Sequence, residues 1–169
     1  MIIVVDYQSY DGLHELYNVC PYALKAYDRR WYLLGYIKEK DAIRSIALDR
    51  ILDLKITTKT FDRPKDFDAR KYYANTIGIF VNEELPVETV RIRAYGIQME
   101  YIRSLPLHKS QQEVKAKLGE YAEFQYRVFI TPELVSTILS MGEKVEVLEP
   151  DGLREKIKNR LLSSIRLYS

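Results

Sequence analysis

The sequence predicts a small β-barrel followed by an α+β domain. Three observations lead to this fold class: five or six short strand patterns in the first 60 residues, a polar stretch with a proline after Thr57, and alternating strand and helix periods after residue 79. The predicted boundaries are a barrel domain over residues 1–60, a linker with a short helix over 61–78, and the second domain over 79–169.

Composition excludes several classes of protein. Charged residues make up 30% of the chain and hydrophobic residues 47%, which is typical of a soluble globular protein. The longest apolar runs, such as 77–81, are far shorter than the roughly 20 residues of a membrane helix, so no membrane partner is expected. A single cysteine, Cys20, excludes an intrachain disulfide and favours a reducing compartment. The sequence therefore predicts a cytoplasmic protein.

Bulk charge by itself gives no argument for a nucleic-acid partner. The chain has 26 basic and 24 acidic residues, so a nucleic-acid site would require a local cluster of basic side chains. Tyrosine is unusually frequent, with 14 residues. Its commonest role is a half-buried ring with its hydroxyl in water, although a tyrosine can also stack on a base.

The barrel is predicted from short β-branched and aromatic runs separated by turns. Pro21 is expected to interrupt its strand, because proline cannot donate a hydrogen bond to a neighbour. Residues 31–37 carry apolar side chains on both faces, which predicts an interior strand. Short strands with no helical period between them predict a closed or nearly closed barrel. The predicted strands are 2–7, 16–20, 22–27, 31–37, 43–48 and 51–56.

The linker is predicted from a polar segment that a proline interrupts, Arg63-Pro64-Lys65-Asp66. Asp68 is placed to cap a short helix that reaches Tyr72 and Tyr73. The aromatic residues of this stretch predict that it docks on a domain.

The second domain alternates strand and helix periods. Val90, Ile92 and Ala94 share one face of a strand, and Thr131 followed by Pro132 marks a helix start. The predicted elements are a strand at 88–95, a helix at 97–105, strands at 111–117 and 121–130, a helix from 132, a strand at 145–148 and a last helix from 151. This order is the split β-α-β pattern of a ferredoxin-like domain with a terminal helix added.

Motifs for catalysis are absent from the sequence. No Gly-rich phosphate loop or dinucleotide fingerprint is present, and His14 and His108 occupy loop-like, solvated contexts. Cys20 is expected to be a packed thiol, and Glu83-Glu84 a solvated corner. No residue suits a general base. The sequence therefore predicts a protein that is not an enzyme and has no metal and no cofactor.

Three arginines accompany the aromatic residues of the barrel. Arg30 precedes Trp31-Tyr32, Arg44 lies in the next strand, and Arg50 follows two residues after Leu48. A charge near an apolar face must lie at the mouth of the barrel, pair with an acid such as Asp49 or Asp53, or bind an anionic ligand. Both readings stay open for Arg44, whereas an ion pair is the favoured reading for Arg30 and Arg50.

Three segments of the predicted barrel together resemble the WYL domain, an effector module of many bacterial transcription regulators. They are Pro21-Tyr22-Ala23-Leu24, the segment Arg-Trp-Tyr-Leu-Leu-Gly-Tyr at 30–36, and Leu48-Asp49-Arg50-Ile51. Residues 145–150, with Leu153-Arg154 and the tail to Tyr168, resemble the extension that usually follows this domain. Together the two resemblances cover nearly the whole chain.

The resemblance implies an SH3-like or Sm-like barrel followed by a ferredoxin-like domain. It also implies sensing of nucleic acid, in some members single-stranded DNA, or of another anionic small ligand. The response would pass to an N-terminal DNA-binding helix-turn-helix. Trp31 is expected in the core. The positions that match the binding face of the family are Tyr7, Ser9, Tyr32 and Arg44, and Arg50 serves either the ligand or the fold.

Two departures from the family are visible. Ser45-Ile46-Ala47 stands where many members carry a bulkier aromatic and a further basic residue, which predicts lower affinity for a polyanion. No helix-turn-helix sequence precedes Met1-Ile2. The chain is therefore expected to be a fragment of a longer regulator, with a free-standing sensor as the alternative.

The resulting hypothesis is a ligand-sensing effector region that binds single-stranded DNA, RNA or a nucleotide on an arginine and tyrosine face. This face includes Arg30, and the protein is expected to form a homodimer. Arg91, together with Arg93, either completes the site across the dimer or forms a plain solvated face. The alternative function is a protein–peptide interaction module, because small barrels also bind peptides in aromatic grooves.

Overall fold

A computed structural model describes residues 1–82 and 84–169 and divides the chain into two compact units, Met1–Tyr72 and Tyr73–Ser169. The described residues form a mixed α/β structure with two antiparallel sheets and four α-helices. None of these helices is long and apolar enough to span a bilayer. Glu83, half of the predicted acidic corner, lies outside the described residues.

The first unit contains an antiparallel sheet of five strands in the order β4-β3-β2-β1-β5. The strands are β1 (Ile3–Gln8), β2 (His14–Tyr27), β3 (Arg30–Ile37), β4 (Ala42–Ala47) and β5 (Ile51–Ile56). β4 and β5 lie at opposite edges and do not pair, so the sheet is not closed into a barrel, which corrects the predicted closure. The cause is the connection between them, which directs β5 to β1 and not back along β4.

The short connection between β4 and β5 requires that the sheet be curled. A single 3-10 turn, Leu48–Arg50, joins β4 to β5, and its four Cα steps span at most about 15 Å. In a flat sheet four strand spacings would separate the two edges by about 19 Å. The edges must therefore converge at this turn, which brings Arg50 toward the end of β1.

Proline does not divide the second strand, contrary to the sequence prediction. β2 runs continuously through Pro21, and its pairing with β3 shifts register between Pro21 and Ala23. Pro21 pairs with Gly35 and Tyr22 is the extra residue of the bulge, so proline lies where the ladder of hydrogen bonds is already interrupted. The predicted strands 16–20 and 22–27 are therefore one strand, whose first half pairs with β1 and whose second half pairs with β3.

Gly35 permits the close contact between strands at this bend. It lies opposite Pro21, and a Cβ atom at this position would lie 2.7 Å from the carbonyl oxygen of Cys20 and from Cγ1 of Val19. The backbone oxygen cannot rotate away as the end of a flexible side chain could. A glycine is therefore required where β3 crosses the bulge of β2.

The hydrophobic cluster of the first unit lies on one face of the sheet, while Leu34 and Ala47 are buried on the other face. Its buried residues are Val5, Tyr7, Tyr17, Val19, Leu33, Ile37 and Ile46. Trp31 was predicted in this core, but its side chain is 56% exposed. It lies opposite Ala26, one residue pair from the hairpin turn and beyond Leu33, the last core residue of β3. Trp31 therefore lies outside the hydrophobic cluster of the first unit.

The segment after β5 docks on the first unit, as predicted. The backbone N–H of Arg70 donates to Asp68 Oδ1 at 2.8 Å, which confirms Asp68 as the cap of α1 (Ala69–Tyr72). The Phe67 ring lies 4.6 Å from the Tyr22 ring between centroids, and the Tyr72 hydroxyl donates to the carbonyl of Ile43 at 3.2 Å.

The second unit contains a sheet in the order β7-β8-β6-β9 and three helices. Its elements are β6 (Glu88–Tyr95), α2 (Ile97–Ser104), β7 (Gln112–Lys117), β8 (Tyr121–Val128), α3 (Pro132–Ser140), β9 (Val145–Glu149) and α4 (Asp151–Ile165). This order of strands and helices agrees with the predicted order. Thr131 Oγ1 accepts the N–H of Leu134 at 3.2 Å, which confirms the predicted helix start.

Alternation along β6 separates a buried and a polar face, as predicted. Val90, Ile92 and Ala94 are fully buried. Arg91 and Arg93 leave the opposite face and bond to acids on neighbouring strands. The core consists of β6, β8, β9 and the helices, with the largest buried side chains at Phe124 and Tyr126.

Replacing Gly35 with alanine is expected to destabilise the protein by about 1–3 kcal/mol, the usual cost of overpacking, because the new methyl group meets backbone. Gly152→Ala is the matched control, since no atom lies within 4 Å of the added Cβ in α4. The control should be neutral or slightly stabilising. Urea unfolding followed by circular dichroism measures both changes, and an unchanged midpoint in Gly35→Ala would contradict the close contact.

Candidate arginine and tyrosine site

Arg50 lies between two tyrosine rings. Its guanidinium carbon is 4.0 Å from the centroid of Tyr10 and 4.8 Å from the centroid of Tyr7. Arg50 ends the 3-10 turn between β4 and β5, Tyr7 lies near the end of β1, and Tyr10 lies in the turn that follows. The convergence of the sheet edges brings these three positions together. We call Tyr7, Tyr10, Arg30, Asp49 and Arg50 the arginine–tyrosine cluster.

Arg50 is held by rings and not by acids. Asp49 pairs with Arg30 and Asp53 with Lys55, and within the described residues no carboxylate pairs with Arg50. Its Nε atom is buried and has no hydrogen-bond partner. Ring faces attract a cation but do not accept all of its planar donors. The favoured expectation of an ion pair at Arg50 is therefore not met, and its positive charge remains unneutralised.

Tyr7 supports Arg50 from within the core. The ring is buried, and burial raises the pKa of its hydroxyl group above the usual value of a tyrosine. The charge of Arg50 and a hydrogen bond with the backbone of Ala47 act in the opposite direction on this pKa. A hydrogen bond that Arg50 donates to the Tyr7 hydroxyl also lowers this pKa. At neutral pH the phenol stays protonated, and its oxygen accepts hydrogen bonds from Arg50 and from the backbone of Ala47.

Arg30 fixes the outer side of the cluster. Its Nη1 atom donates to the Tyr10 hydroxyl at 2.7 Å and lies 3.2 Å from Asp49 Oδ2. The hydrogen bond to Tyr10 and the charge of Asp49 raise the pKa of Arg30. The expected ion pair is thus found for Arg30. Through its hydrogen bond, Arg30 holds Tyr10, a residue that is 79% exposed, over Arg50.

Ser9 organises the turn that carries Tyr10. Its backbone N–H donates to Leu13 O at 2.9 Å, and its carbonyl accepts the N–H of Gly12 at 3.0 Å. Its hydroxyl donates to the carboxylate of Asp11, which lowers the pKa of that acid. The structure therefore engages Ser9 in the turn beside the cluster.

Arg44 and Tyr32 lie outside the contacts that define the cluster. Arg44 is exposed on the edge strand β4, and its Nη1 donates to the carbonyl of Ile43 at 3.2 Å. Among the described residues it has no ion-pair partner. Tyr32 alternates with the core residue Leu33 and so points to the opposite face, whereas Arg44 shares the face of its partner Gly35. The two side chains therefore do not share a face.

Arg91 belongs to the second unit and is already paired. Its Nη2 atom donates to Glu149 Oε1 at 2.7 Å, while its Nε atom is buried without a partner. Arg93 bonds to Glu123 at 2.8 Å and to Glu146 at 3.3 Å. This polar sheet face carries charges that are largely matched, and a role of Arg91 in ligand binding stays a prediction.

Sequence reasoning missed Tyr10. Its signal was weak: it is a single tyrosine before the Asp11-Gly12 turn, and no spacing rule links it to Arg30 or Arg50. Asp49 was named as a possible partner, but its choice of Arg30 over Arg50 depends on the geometry of the turn.

Other candidate groups are used structurally. Cys20 is buried, as predicted. His108 is not a solvated loop residue: its Nε2 atom hydrogen-bonds the Ala74 carbonyl at 3.0 Å, and burial lowers its pKa. His14 is exposed and lies 3.6 Å from Asp6. Within residues 1–82 and 84–169, no group of three or more histidine, cysteine or acidic residues is arranged to hold a metal ion.

Comparison with known families matches both units. Residues 2–56 match the WYL domain, and residues 86–163 match the WCX domain. A similar protein is an uncharacterized HTH-type transcriptional regulator, YobV, from Bacillus subtilis (strain 168). It is 22% identical over 182 residues, which cover 99% of this chain and 52% of that protein. The chain therefore spans about half the length of this relative.

Two solved structures are similar. The proteasome accessory factor B/C (PafBC) of Arthrobacter aurescens is 26% identical, and the match covers 95% of this chain and 24% of that chain with a TM-score of 0.41. A CRISPR Cas-related protein is 15% identical, and the match covers 99% of this chain and 47% of that chain with a TM-score of 0.56. The second likeness is one of fold.

Replacing Arg50 with glutamine is expected to raise the pKa of Tyr7 further, because the guanidinium charge favours the phenolate. Because the pKa of Tyr7 is higher in the folded state than in the unfolded state, its protonated hydroxyl contributes to the free energy of unfolding. This contribution is complete below the ordinary pKa of 10.0 and is lost as the pH rises through the folded-state pKa. The window of loss should therefore extend to higher pH in the variant.

NMR titration of tyrosine labelled at Cζ measures this change, with Tyr7→Phe for assignment. Tyr22 is the internal control, because burial raises its pKa too but the nearby cation is Arg63. A shift of Tyr22 equal to that of Tyr7, or no shift of Tyr7, would contradict the contact with Arg50.

Proposed function

The chain belongs to the WYL-domain family, with a WYL domain over residues 2–56 and a WCX domain over 86–163, and from this we propose that it is the ligand-sensing effector region of a bacterial transcription regulator. Its ligand is single-stranded nucleic acid or a nucleotide-like anion, bound at the arginine–tyrosine cluster. The HTH-type relative supports a regulatory role.

The proposal extends to the finer architecture. We assign the first unit to the SH3-like or Sm-like class in an open form, supported by the curled sheet, and the second to the ferredoxin-like class, supported by its strand order β7-β8-β6-β9. The domain boundaries remain those proposed from the sequence, 1–60, 61–78 and 79–169. A cytoplasmic homodimer without a catalytic step is part of the same proposal.

A single observation carries the ligand class: Arg50 is stacked between Tyr7 and Tyr10 and has no acid partner among the described residues. A buried or half-buried guanidinium is usually paired, because its desolvation is costly. Ring contacts orient it but leave donors for an acceptor. A phosphate oxygen suits these donors, since the planar fork of guanidinium binds phosphate bidentately.

The tyrosines favour a ligand that has a base as well as a phosphate. Tyr10 is largely exposed while its hydroxyl is held by Arg30, so its ring is oriented before any ligand binds. Stacking on such a ring tolerates any base. Arg44, exposed and without an acid partner within the described residues, would add a second phosphate contact on the edge strand.

The ligand signal would pass to a DNA-binding region. The relative named an HTH-type regulator is about twice as long as its match to this chain. In a regulator of that kind, a helix-turn-helix in the remaining half would contact DNA, and the effector region would bias its conformation. For the ligand to shift the conformation of the regulator, it must bind one conformation more tightly than the other.

Arg50→Ala is expected to weaken binding of a fluorescein-labelled oligothymidylate of about ten nucleotides, a length suited to small single-strand-binding domains. Loss of one charge-assisted phosphate contact predicts a roughly ten- to hundredfold higher Kd. The slope of log K against log salt should fall by about 0.7, the value per phosphate contact on single strands. Fluorescence anisotropy across a salt series measures both quantities.

Arg70→Ala is the matched control, because Arg70 is an exposed arginine of α1 outside the cluster. Arg50→Lys separates charge from shape, and it should bind with intermediate affinity because lysine lacks the planar fork. The proposal is wrong if neither an oligonucleotide nor a nucleotide binds at low salt, or if Arg50→Ala and Arg70→Ala bind alike.

Asp49→Asn is expected to tighten binding of the same oligonucleotide. The change removes the carboxylate that neutralises Arg30 and leaves that guanidinium free for phosphate. Because the pair is half exposed, the gain should be only about two- to fivefold. Asp66→Asn, at an exposed acid of the linker, is the control for bulk charge. Weaker binding by Asp49→Asn would show that the ion pair with Arg30 serves the site.

A second candidate function is peptide binding, favoured by an exposed apolar pair near the hairpin turn. Trp31 is 56% exposed and Leu24 is 60% exposed, and the two lie on adjacent strands. Aromatic surfaces of small β domains accept extended or proline-rich peptides. A peptide that binds with little response to salt and does not displace the oligonucleotide would favour this function.

A further inference from the structure

β5 presents an unpaired edge with apolar and charged side chains in alternation. It is the last strand of the sheet, and its outer edge pairs with no described strand. Leu54 and Ile56 are exposed on one face, and Asp53 and Lys55 on the other. Leu52 is exposed at a bulge, because Asp53 pairs with Asp6 while Ile51 pairs with Tyr7. Exposed edges of this kind bind another strand unless charges or bulges prevent it.

The backbone groups that face outward can be identified. The N–H of Thr57 donates to Ile2 O at 3.0 Å, which places Thr57 among the positions bonded to β1. Bonded positions alternate in an antiparallel ladder, so Asp53 is bonded like Thr57, and Leu54 and Ile56 point their backbone groups away from β1. The N–H of Leu54 accordingly donates to the side chain of Asp53, at 2.9 Å.

The strand is complementary to a second copy of itself. When two β5 strands pair antiparallel about Leu54, Leu54 lies opposite Leu54 and each Asp53 lies opposite Lys55 of the other copy. Counted along the chain, Leu52 lies opposite Ile56, at the end of the pairing where β5 is bulged. Outward-facing Leu54 forms the hydrogen-bonded pair at the two-fold axis. The opposite charges occupy the adjacent non-hydrogen-bonded pairs, where side chains are closest.

Neighbouring registers are disfavoured. Moving the centre of pairing one residue toward the N-terminus places Asp53 opposite Asp53, and moving it one residue toward the C-terminus places Lys55 opposite Lys55. Like charges directly opposite each other destabilise a sheet. The charge pattern therefore selects the register centred on Leu54 from these alternatives.

We propose that β5 is a homodimerisation edge, at which two copies of this chain join their sheets by antiparallel pairing centred on Leu54. The inference deepens the homodimer of the proposed function, on which it rests, and is independent of the ligand. On pairing, Asp53 releases the Leu54 N–H, and its contact with Lys55 of its own strand, 3.6 Å in the single chain, is replaced by Lys55 of the partner.

A single strand pair buries little area, so the proposed dimer is weak and its dissociation depends on concentration. Sedimentation velocity of the full chain over a concentration series measures it. Asp53→Lys and Lys55→Asp should each weaken the dimer by about tenfold or more, since each places two like-charged pairs in the interface. The double variant Asp53→Lys with Lys55→Asp should restore dimerisation, because the swapped charges are again opposite.

A crosslink tests the register independently. Leu54→Cys should form a disulfide between two copies on mild oxidation, because hydrogen-bonded pairs place Cα atoms about 5.5 Å apart, within the range of a disulfide. Leu52→Cys is the control, since Leu52 is similarly exposed on the same strand but lies opposite Ile56 of the other copy and not opposite itself. Cys20 is buried and should not contribute.

The proposal is overturned if the wild-type chain is monomeric at all concentrations. It is also overturned if the single charge variants dimerise like the wild type, if the double variant stays monomeric, or if Leu52→Cys crosslinks as well as Leu54→Cys. Oligonucleotide binding measured on the same samples keeps the two proposals separate. If the chain binds the oligonucleotide but does not dimerise, only the proposed dimerisation edge is contradicted. If the crosslink forms as predicted but no oligonucleotide binds, only the proposed ligand is contradicted.

Discussion

The first unit depends on the bend in β2. One strand pairs with β1 through its first half and with β3 through its second half, and the change of direction occurs at the bulge between Pro21 and Ala23. Gly35 lets β3 cross this bulge at a distance that no side chain would allow. A bulge bends its strand and increases the local twist, so this bend contributes to the curl that lets a single turn connect the opposite edges of the sheet. Without this curl, Arg50 would not lie beside β1.

The convergence of edges explains why two nearby arginines differ in chemistry. Arg30 projects from the hairpin turn and finds both an acid and a hydroxyl, so its charge is balanced. Arg50 follows Asp49 in the same turn, but it is directed between two rings and finds no acid among the described residues. A stacked and unpaired guanidinium is a poor contributor to stability, because its desolvation is not repaid by a Coulombic partner. This lack of a Coulombic partner is the observation on which the proposed ligand site rests.

The cluster and the free edge are adjacent in the chain. Arg50 is followed directly by Ile51, which packs against the core and begins β5. A ligand that moves Arg50 would act on the first residue of the edge strand, and edge pairing would in turn restrict the turn that holds Arg50. If the ligand changes the affinity of edge pairing in this way, pairing changes the affinity for the ligand by the same factor. The two proposals thus describe a sensor whose ligand site and partner edge are connected by one short turn.

The sequence by itself determined the order of strands and helices in the second unit, the capping residues Asp68 and Thr131, and the buried face of β6, because these depend on local spacing and hydrogen bonding. Only the tertiary structure decided the course of β2 through Pro21, the open sheet, the exposure of Trp31 and the separation of Arg44 from Tyr32. It also decided that Arg30 and not Arg50 takes Asp49, and that Tyr10 covers Arg50. The physical reason is that these outcomes arise from contacts between residues that are distant in the chain. The curvature and register of the sheet bring such residues together, and the spacing of residues in the sequence does not encode these contacts.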